Sequence, residues 1–198
     1  KRTFLKKALG QALIKVNLLE KDPNSAQGES FCLNLPAPYP FTIVSKTITD
    51  NNGLDNFVKN EFERKYSTVY TNYFKLYFLD LEYKEPNTEG AGGYFDSVSK
   101  CVMLFNGHQK ETIAHECLHA LGLPHSFYYP SEIYKSRMEE KIRDKNFFVF
   151  KAMETNNIMD YSHLGVNPVT KNRIDSPKER YLTWHWQWLI VRESTLLE

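Results

Sequence analysis

The sequence predicts an α+β fold, and three observations carry that expectation. Leu54, Phe57, Val58, Phe62 and Tyr66 recur at helical spacing, so residues 54–66 should form an amphipathic helix packed on a sheet. Phe74, Leu76 and Phe78 alternate within an aromatic stretch that runs to Tyr83, which is the period of a strand. After residue 125 the pattern changes to helix and loop. At 198 residues the chain has the length of one domain with a substantial core.

Taken in order, residues 1–20 read as a helix or strand ahead of a polar turn at Lys21–Glu29. Pro36, Pro38 and Pro40 punctuate an extended stretch that enters a strand over Phe41–Thr49. Asp50-Asn51-Asn52-Gly53 is a turn or cap that opens the 54–66 helix. Phe74–Tyr83 follows as a second strand, with Phe74, Leu76 and Phe78 on one face. A turn at Pro86–Gly93 leads to two short strands, Tyr94–Val98 and Val102–Phe105. Asn106-Gly107 then opens a helix over Lys110–Leu121. Beyond it, Ser131–Asp144 reads as a charged, solvated surface helix and Phe147–Phe150 as an apolar segment. Tyr181–Val191, with three Trp, reads as a C-terminal anchoring helix.

Composition narrows the function classes. With 41% hydrophobic and 25% charged residues the chain is globular. A net charge of +1, with Lys and Arg scattered, gives no reason to expect nucleic acid as a partner. No apolar run approaches a membrane span. The basic start Lys1–Lys7 and the moderately apolar Ala8–Leu19 are interrupted by Gln11, Lys15 and Asn17, so no signal peptide is read there. The missing initiator Met suggests a processed form or an excised domain, and a monomer is the default at this size.

Residues 115–125 read His-Glu-Cys-Leu-His-Ala-Leu-Gly-Leu-Pro-His, and here the pattern becomes chemistry. On a helix, His115 and His119 leave the same face one turn apart. Gly122 permits the left-handed conformation that ends a helix, and the turned chain can bring His125 to the same point. Three imidazoles at this spacing suit Zn²⁺, and three protein ligands leave its fourth position open, the mark of a catalytic rather than a structural site. Glu116, next to the first ligand, can act as a general base on a water molecule. A metal-free core helix with hydrogen-bonded histidines is the bland alternative, but three histidines are costly to bury without partners.

This run resembles the long zinc signature of the metzincin metallopeptidases. Their methionine-containing turn has a counterpart in Asn157-Ile158-Met159-Asp160-Tyr161, with Met159 34 residues after His125. Within the clan, Gly122–Phe127 and Asn157–Ser162 look most similar to the pappalysin and cytophagalysin branch. The resemblance implies a zincin fold: a twisted, mostly parallel sheet with an antiparallel edge strand, the zinc helix, and a small, mostly helical C-terminal subdomain. The catalytic domain would span 1–198, with residues 1–125 as its N-terminal and 126–198 as its C-terminal subdomain. It implies a secreted zinc endopeptidase acting on proteins or peptides, with His115, His119 and His125 as ligands and Glu116 as base. Tyr161 stands where astacin-like metzincins place a tyrosine that can approach the metal or the oxyanion, or else it is a packed phenol. Met159 supplies shape beneath the ligands, and Tyr161–Leu164 with Phe127–Tyr129 would line a specificity pocket. The antiparallel edge strand, for which Gly92–Ser97 is the candidate, would accept an extended peptide, or else Tyr94 and Phe95 are ordinary core aromatics. His163 and His185 are surface or core residues rather than further ligands.

Two other readings stay open: a zinc-binding module without turnover, and the peptidase domain of a secreted bacterial toxin or effector. Of the three cysteines, Cys117 lies on another face of the zinc helix and should pack as a small apolar residue. Cys32 is either a buried or disulfide-linked thiol or a thiolate that caps the open zinc position and holds the enzyme latent. No dense Asp and Asn loop argues for calcium.

Overall fold

The 3.6-residue period of Leu54, Val58 and their neighbours is realised as a helix over Leu54–Tyr66, with Leu54 and Val58 buried. It belongs to a computed structural model that describes residues 1–11, 14–20, 30–33, 35–50, 53–66, 70, 72–84, 92–96, 101–123, 125, 127–128, 150–151, 153, 155–160, 163–166, 173–175 and 179–192. The architecture is mixed α/β with small mixed sheets. The chain divides into two compact units, residues 15–107 and residues 1–14 with 108–198. No helix among the described residues is long and apolar enough to cross a membrane.

In the 15–107 unit, β1 (Thr42–Val44) and β2 (Thr47–Asp50) form an antiparallel hairpin. The pattern over Phe41–Thr49 reads as one strand, but the chain turns at Ser45 and Lys46, whose φ values are 49° and 65°. Both central residues of such a turn need positive φ, which Asn-Gly usually supplies, so Ser-Lys gives no warning. β2 also pairs in parallel with β4 (Glu82–Tyr83).

The second sheet of this unit places β6 (Cys101–Leu104) between β3 (Lys75–Phe78), in parallel, and β5 (Gly93–Asp96), antiparallel. All four residues of the central strand are buried, as expected of a strand covered on both faces. Instead of one continuous strand over Phe74–Tyr83, the chain breaks between β3 and β4, which join different sheets. The buried residue lies on the face opposite Phe74, Leu76 and Phe78: Tyr77 is buried, whereas Phe78 is 59% exposed. Alternation alone identifies two faces without saying which of them meets the core. The helix over Leu54–Tyr66, here α2 after the N-terminal helix below, shares a core with Phe41, Ile48, Tyr77, Tyr83, Met103 and Phe105. Each such side chain contributes about 1.5–3 kcal/mol when fully buried. Tyr94 of the antiparallel edge strand packs its ring against Tyr83 and Phe105, so this aromatic belongs to the core.

In the other unit, α1 (Arg2–Gly10) buries Leu5, Ala8 and Leu9 and packs on α3 (Lys110–Ala120). β7 (Phe127–Tyr128) pairs in parallel with β8 (Phe150–Lys151), and β9 (His163–Val166) pairs antiparallel with β10 (Arg173–Asp175). α4 (His185–Arg192) closes the described chain, starting four residues later than the apolar pattern suggested. Leu182, which that pattern included, lies instead in a bridge to Asn157. Described residues after 125 thus hold four short strands and one helix, rather than being mostly helical. The expected turns at Lys21–Glu29 and Pro86–Gly93 fall largely outside the described residues, and the helix over Ser131–Asp144 falls wholly outside them.

Candidate metal centre

α3 carries its site on a helix whose other positions hold it in the core. Ile113, Ala114, Cys117 and Leu118 are buried, and His115 is buried with them at 6% exposure. The four-residue spacing sets His115 and His119 edge to face, ring centroids 4.6 Å apart. The helix then stops at Gly122, with φ of 87°. Gly122 N–H donates to His119 O at 2.9 Å and Leu123 N–H donates to Leu118 O at 3.0 Å. Those two bonds are the paired closure of a Schellman motif, with Leu118 and Leu123 both buried beside it. The reversed chain brings the His125 ring to 4.4 Å from that of His119 and 5.1 Å from that of His115.

A Cβ on Gly122 would meet nothing within 4 Å, so only the backbone conformation resists substitution. Gly122→Ala should therefore cost about 1–2 kcal/mol, and Gly122→Asn, which tolerates the left-handed region, distinctly less. Thermal melts of the two variants check this. An alanine variant as stable as the parent would show that the cap does not depend on glycine.

The three Nε2 atoms converge. They lie 3.0 Å (His115–His119), 3.0 Å (His119–His125) and 3.2 Å (His115–His125) apart. Tautomers follow from the far side of two rings. His115 Nδ1 lies 2.7 Å from Ile158 O, and His119 Nδ1 lies 2.8 Å from Leu123 O. A carbonyl oxygen only accepts, so both Nδ1 atoms carry the proton, and Nε2 is the basic nitrogen of each ring. Two basic nitrogens 3.0 Å apart repel unless a cation lies between them, so this arrangement can hold a metal ion. Among the described residues, these three form the only group of three or more His, Cys, Asp or Glu side chains with converging ligand atoms.

Electrostatics favour the same state. Burial, then the neighbouring His119, holds the His115 ring well below its ordinary value. Burial followed by His119 and His115 does the same to His125. Neutral rings are the ligating form. The unfolded chain takes up protons near the ordinary value of 6.5, while the folded rings stay neutral. Below that pH the unfolded state binds more protons, so the metal-free protein should lose stability as pH falls from about 7 to 5. Each ring contributes up to about 1.4 kcal/mol per pH unit. Melts of chelator-treated protein at pH 7.5, 6.5 and 5.5 check the sign; a midpoint that is flat or rises on acidification would contradict it.

The Asn157–Asp160 turn reaches the centre through its backbone. Asp160 N–H closes the turn on Asn157 O at 3.0 Å, and Ile158 N–H donates to Leu182 O at 2.7 Å. Ile158, Met159 and Asp160 are each 0% exposed. The buried Asp160 carboxylate accepts from Met153 N–H, Thr155 N–H and the Thr155 hydroxyl, at 2.7–2.9 Å, which offsets the loss of water around it.

The structure thus brings His115, His119 and His125 together and places Glu116, half-buried, one position past His115. Tyr161 lies outside the described residues. Cys117 is a buried thiol whose pKa is pushed up to about 12, first by burial and then by Glu116. An un-ionised thiol packs as an apolar side chain, as the sequence suggested. Cys32 is an exposed thiol and Cys101 a buried one. His163 starts β9 and His185 starts α4, and neither joins the triad. Sequence reasoning missed the supports: the Ile158 and Leu123 carbonyls, which no side-chain pattern encodes, and the amides of Asn157 and Gln187.

No protein-family model, curated protein or solved structure matches the chain.

Proposed function

We propose that this chain is a zinc-dependent endopeptidase of the metzincin type, with the pappalysin and cytophagalysin branch as its nearest likeness. The observation that carries the proposal is the meeting of three Nε2 atoms, those of His115 and His119 fixed as basic, beside a glutamate. Tetrahedral zinc at about 2.0–2.1 Å from each nitrogen spaces its ligand atoms about 3.3–3.4 Å apart, within a few tenths of an ångström of the distances between these rings. An all-imidazole donor set suits zinc, copper, iron or nickel rather than magnesium or calcium. Zinc bound there supplies a Lewis acid that activates water near neutral pH and polarises a carbonyl.

The chain's own residues supply the rest. The Nδ1–H bonds of His115 and His119 to backbone carbonyls fix which ring nitrogen faces the centre and make it more basic. Glu116, as a carboxylate, takes a proton from the attacking water as the carbon–oxygen bond forms. It then gives that proton to the leaving nitrogen as the carbon–nitrogen bond breaks. Tyr161 keeps the role implied by its distance from Met159, a donor toward the developing oxyanion. The substrate is a protein or peptide strand, and the setting is extracellular. Delivery as the peptidase part of a secreted toxin or effector leaves the chemistry unchanged.

The test is cleavage of a peptide library, read by mass spectrometry, by zinc-loaded, chelator-stripped and zinc-restored protein. Cuts by the loaded and restored samples alone are expected. Zinc-loaded protein that leaves every peptide intact would overturn the peptidase reading in favour of a binding module.

A further inference from the structure

The amide of Gln187, on α4, is 0% exposed, and a buried amide calls for an explanation. Gln187 Oε1 accepts from Trp184 N–H at 2.7 Å and from Asn157 Nδ2 at 2.7 Å, while its Nε2 donates to Asn157 Oδ1 at 3.2 Å. Asn157 Oδ1 also accepts from Met159 N–H at 2.8 Å. The two side-chain amides therefore pair reciprocally. Backbone donors at either end, Trp184 N–H and Met159 N–H, fix which atom of each amide is oxygen.

The Met159 N–H and the Ile158 carbonyl belong to one peptide group, which is planar, and in a trans peptide they point in opposite directions. Gripping the N–H from one side therefore aims the carbonyl to the other. There the carbonyl accepts the His115 Nδ1 proton at 2.7 Å. An unbroken line of contacts runs from Gln187 to Asn157, through one rigid plane, to the tautomer and tilt of the most buried ring of the triad.

We propose that Gln187, acting through Asn157, is a positioning residue for the ligand His115. This rests on the zinc-centre reading above and adds to it a support from a helix that carries no ligand. Gln187 Oε1 also accepts from the N–H of Trp184, the residue just before α4, which is half of a capping box, so a purely structural role must be separated from positioning. Val191 supplies the control: it is on the same helix, 1% exposed and outside the line of contacts.

Two readings are taken on the full chain carrying Gln187→Leu, Gln187→Glu, Asn157→Leu, Val191→Ala, or Gln187→Leu with Asn157→Leu. The first is zinc affinity, by competition with a chromophoric chelator. Gln187→Leu should lose about 10–100-fold, the range for outer-shell partners of zinc ligands, with one zinc still bound at saturation. Gln187→Glu, which keeps both accepted bonds, should lose less and serves if the leucine variant fails to fold. Val191→Ala should stay within about three-fold of the parent even where it lowers the melting point. In the double variant, the Gln187 substitution should add little to that at Asn157, because it acts through that residue. Losses that are equal in Gln187→Leu and Val191→Ala, or additive in the double variant, would overturn the proposal.

The second reading is proton exchange at His115 Nδ1 in metal-free protein, by nitrogen-15 NMR. Gln187→Leu should speed exchange at least ten-fold, and Val191→Ala should not. This reading does not need zinc, so it separates the two failures. A protein that binds no zinc but shows the exchange effect contradicts the peptidase reading while upholding the positioning role. No exchange effect overturns the positioning role whatever the zinc result.

Discussion

Glu116→Gln should keep one zinc per chain and lose about 10²–10⁴-fold in turnover, the usual contribution of a general base. Glutamine preserves the size and polarity of the side chain and removes the ability to take up a proton. Position 116 is half-buried on α3, and its neighbours His115 and Cys117 are anchored in the core, so helix and ligands should survive the change. The direction of the kinetics is specific as well. The proton moves only in the transition state, so kcat should fall with little change in KM. Steady-state rates on a cleaved peptide, beside metal content, check both halves. Unchanged turnover would remove Glu116 from the chemistry, and loss of zinc would make it a ligand or ligand support.

His115→Ala should have the larger effect on the metal. His115 is the most buried ring of the triad, and its loss removes one of three nitrogens while leaving Ile158 O without its buried donor. Zinc affinity should fall by more than about 100-fold, beyond the range for losing an outer-shell partner. The folded parent should gain about 2.7 kcal/mol when free zinc stands at 100 times its dissociation constant. At that same concentration the alanine variant should gain almost nothing. In the absence of metal the comparison shifts, because the variant also loses a basic nitrogen held 3.0 Å from another. Its metal-free form should therefore be less destabilised than a buried hydrogen-bonded ring would suggest. Melts with and without zinc give both numbers. A zinc-dependent gain that persists in His115→Ala would place the metal elsewhere.

The centre was legible because its geometry is local. Spacing of four on a helix and a glycine at the helix end bring three rings together whatever the rest of the chain does, and α3 ends with Gly122 in the left-handed region. The same holds for α2, whose apolar period sets both its limits and its buried face. What failed was non-local or carried by backbone. The Ser45-Lys46 turn lacks the residues that normally announce positive φ, so a hairpin read as one strand. Alternation put Phe78 on one face of its strand without showing that this face is exposed, because the face a strand buries is decided by the sheet it joins. Nothing in Trp-Gln-Trp-Leu-Ile marks Gln187 as a core residue. It is fully buried because Asn157, thirty residues earlier, supplies a partner amide. Tyr161 remains an expectation from the metzincin resemblance, a tyrosine that approaches the metal or the oxyanion or else a packed phenol.

All of this turns on one zinc held by His115, His119 and His125 with a position left for water, and the zinc K-edge absorption spectrum of the loaded protein tests it most directly. The expected spectrum has four nitrogen or oxygen neighbours at about 2.0–2.1 Å, with the outer-shell scattering of three imidazole rings. A sulfur neighbour at about 2.3 Å, or scattering from fewer than three rings, would contradict the three-histidine catalytic centre.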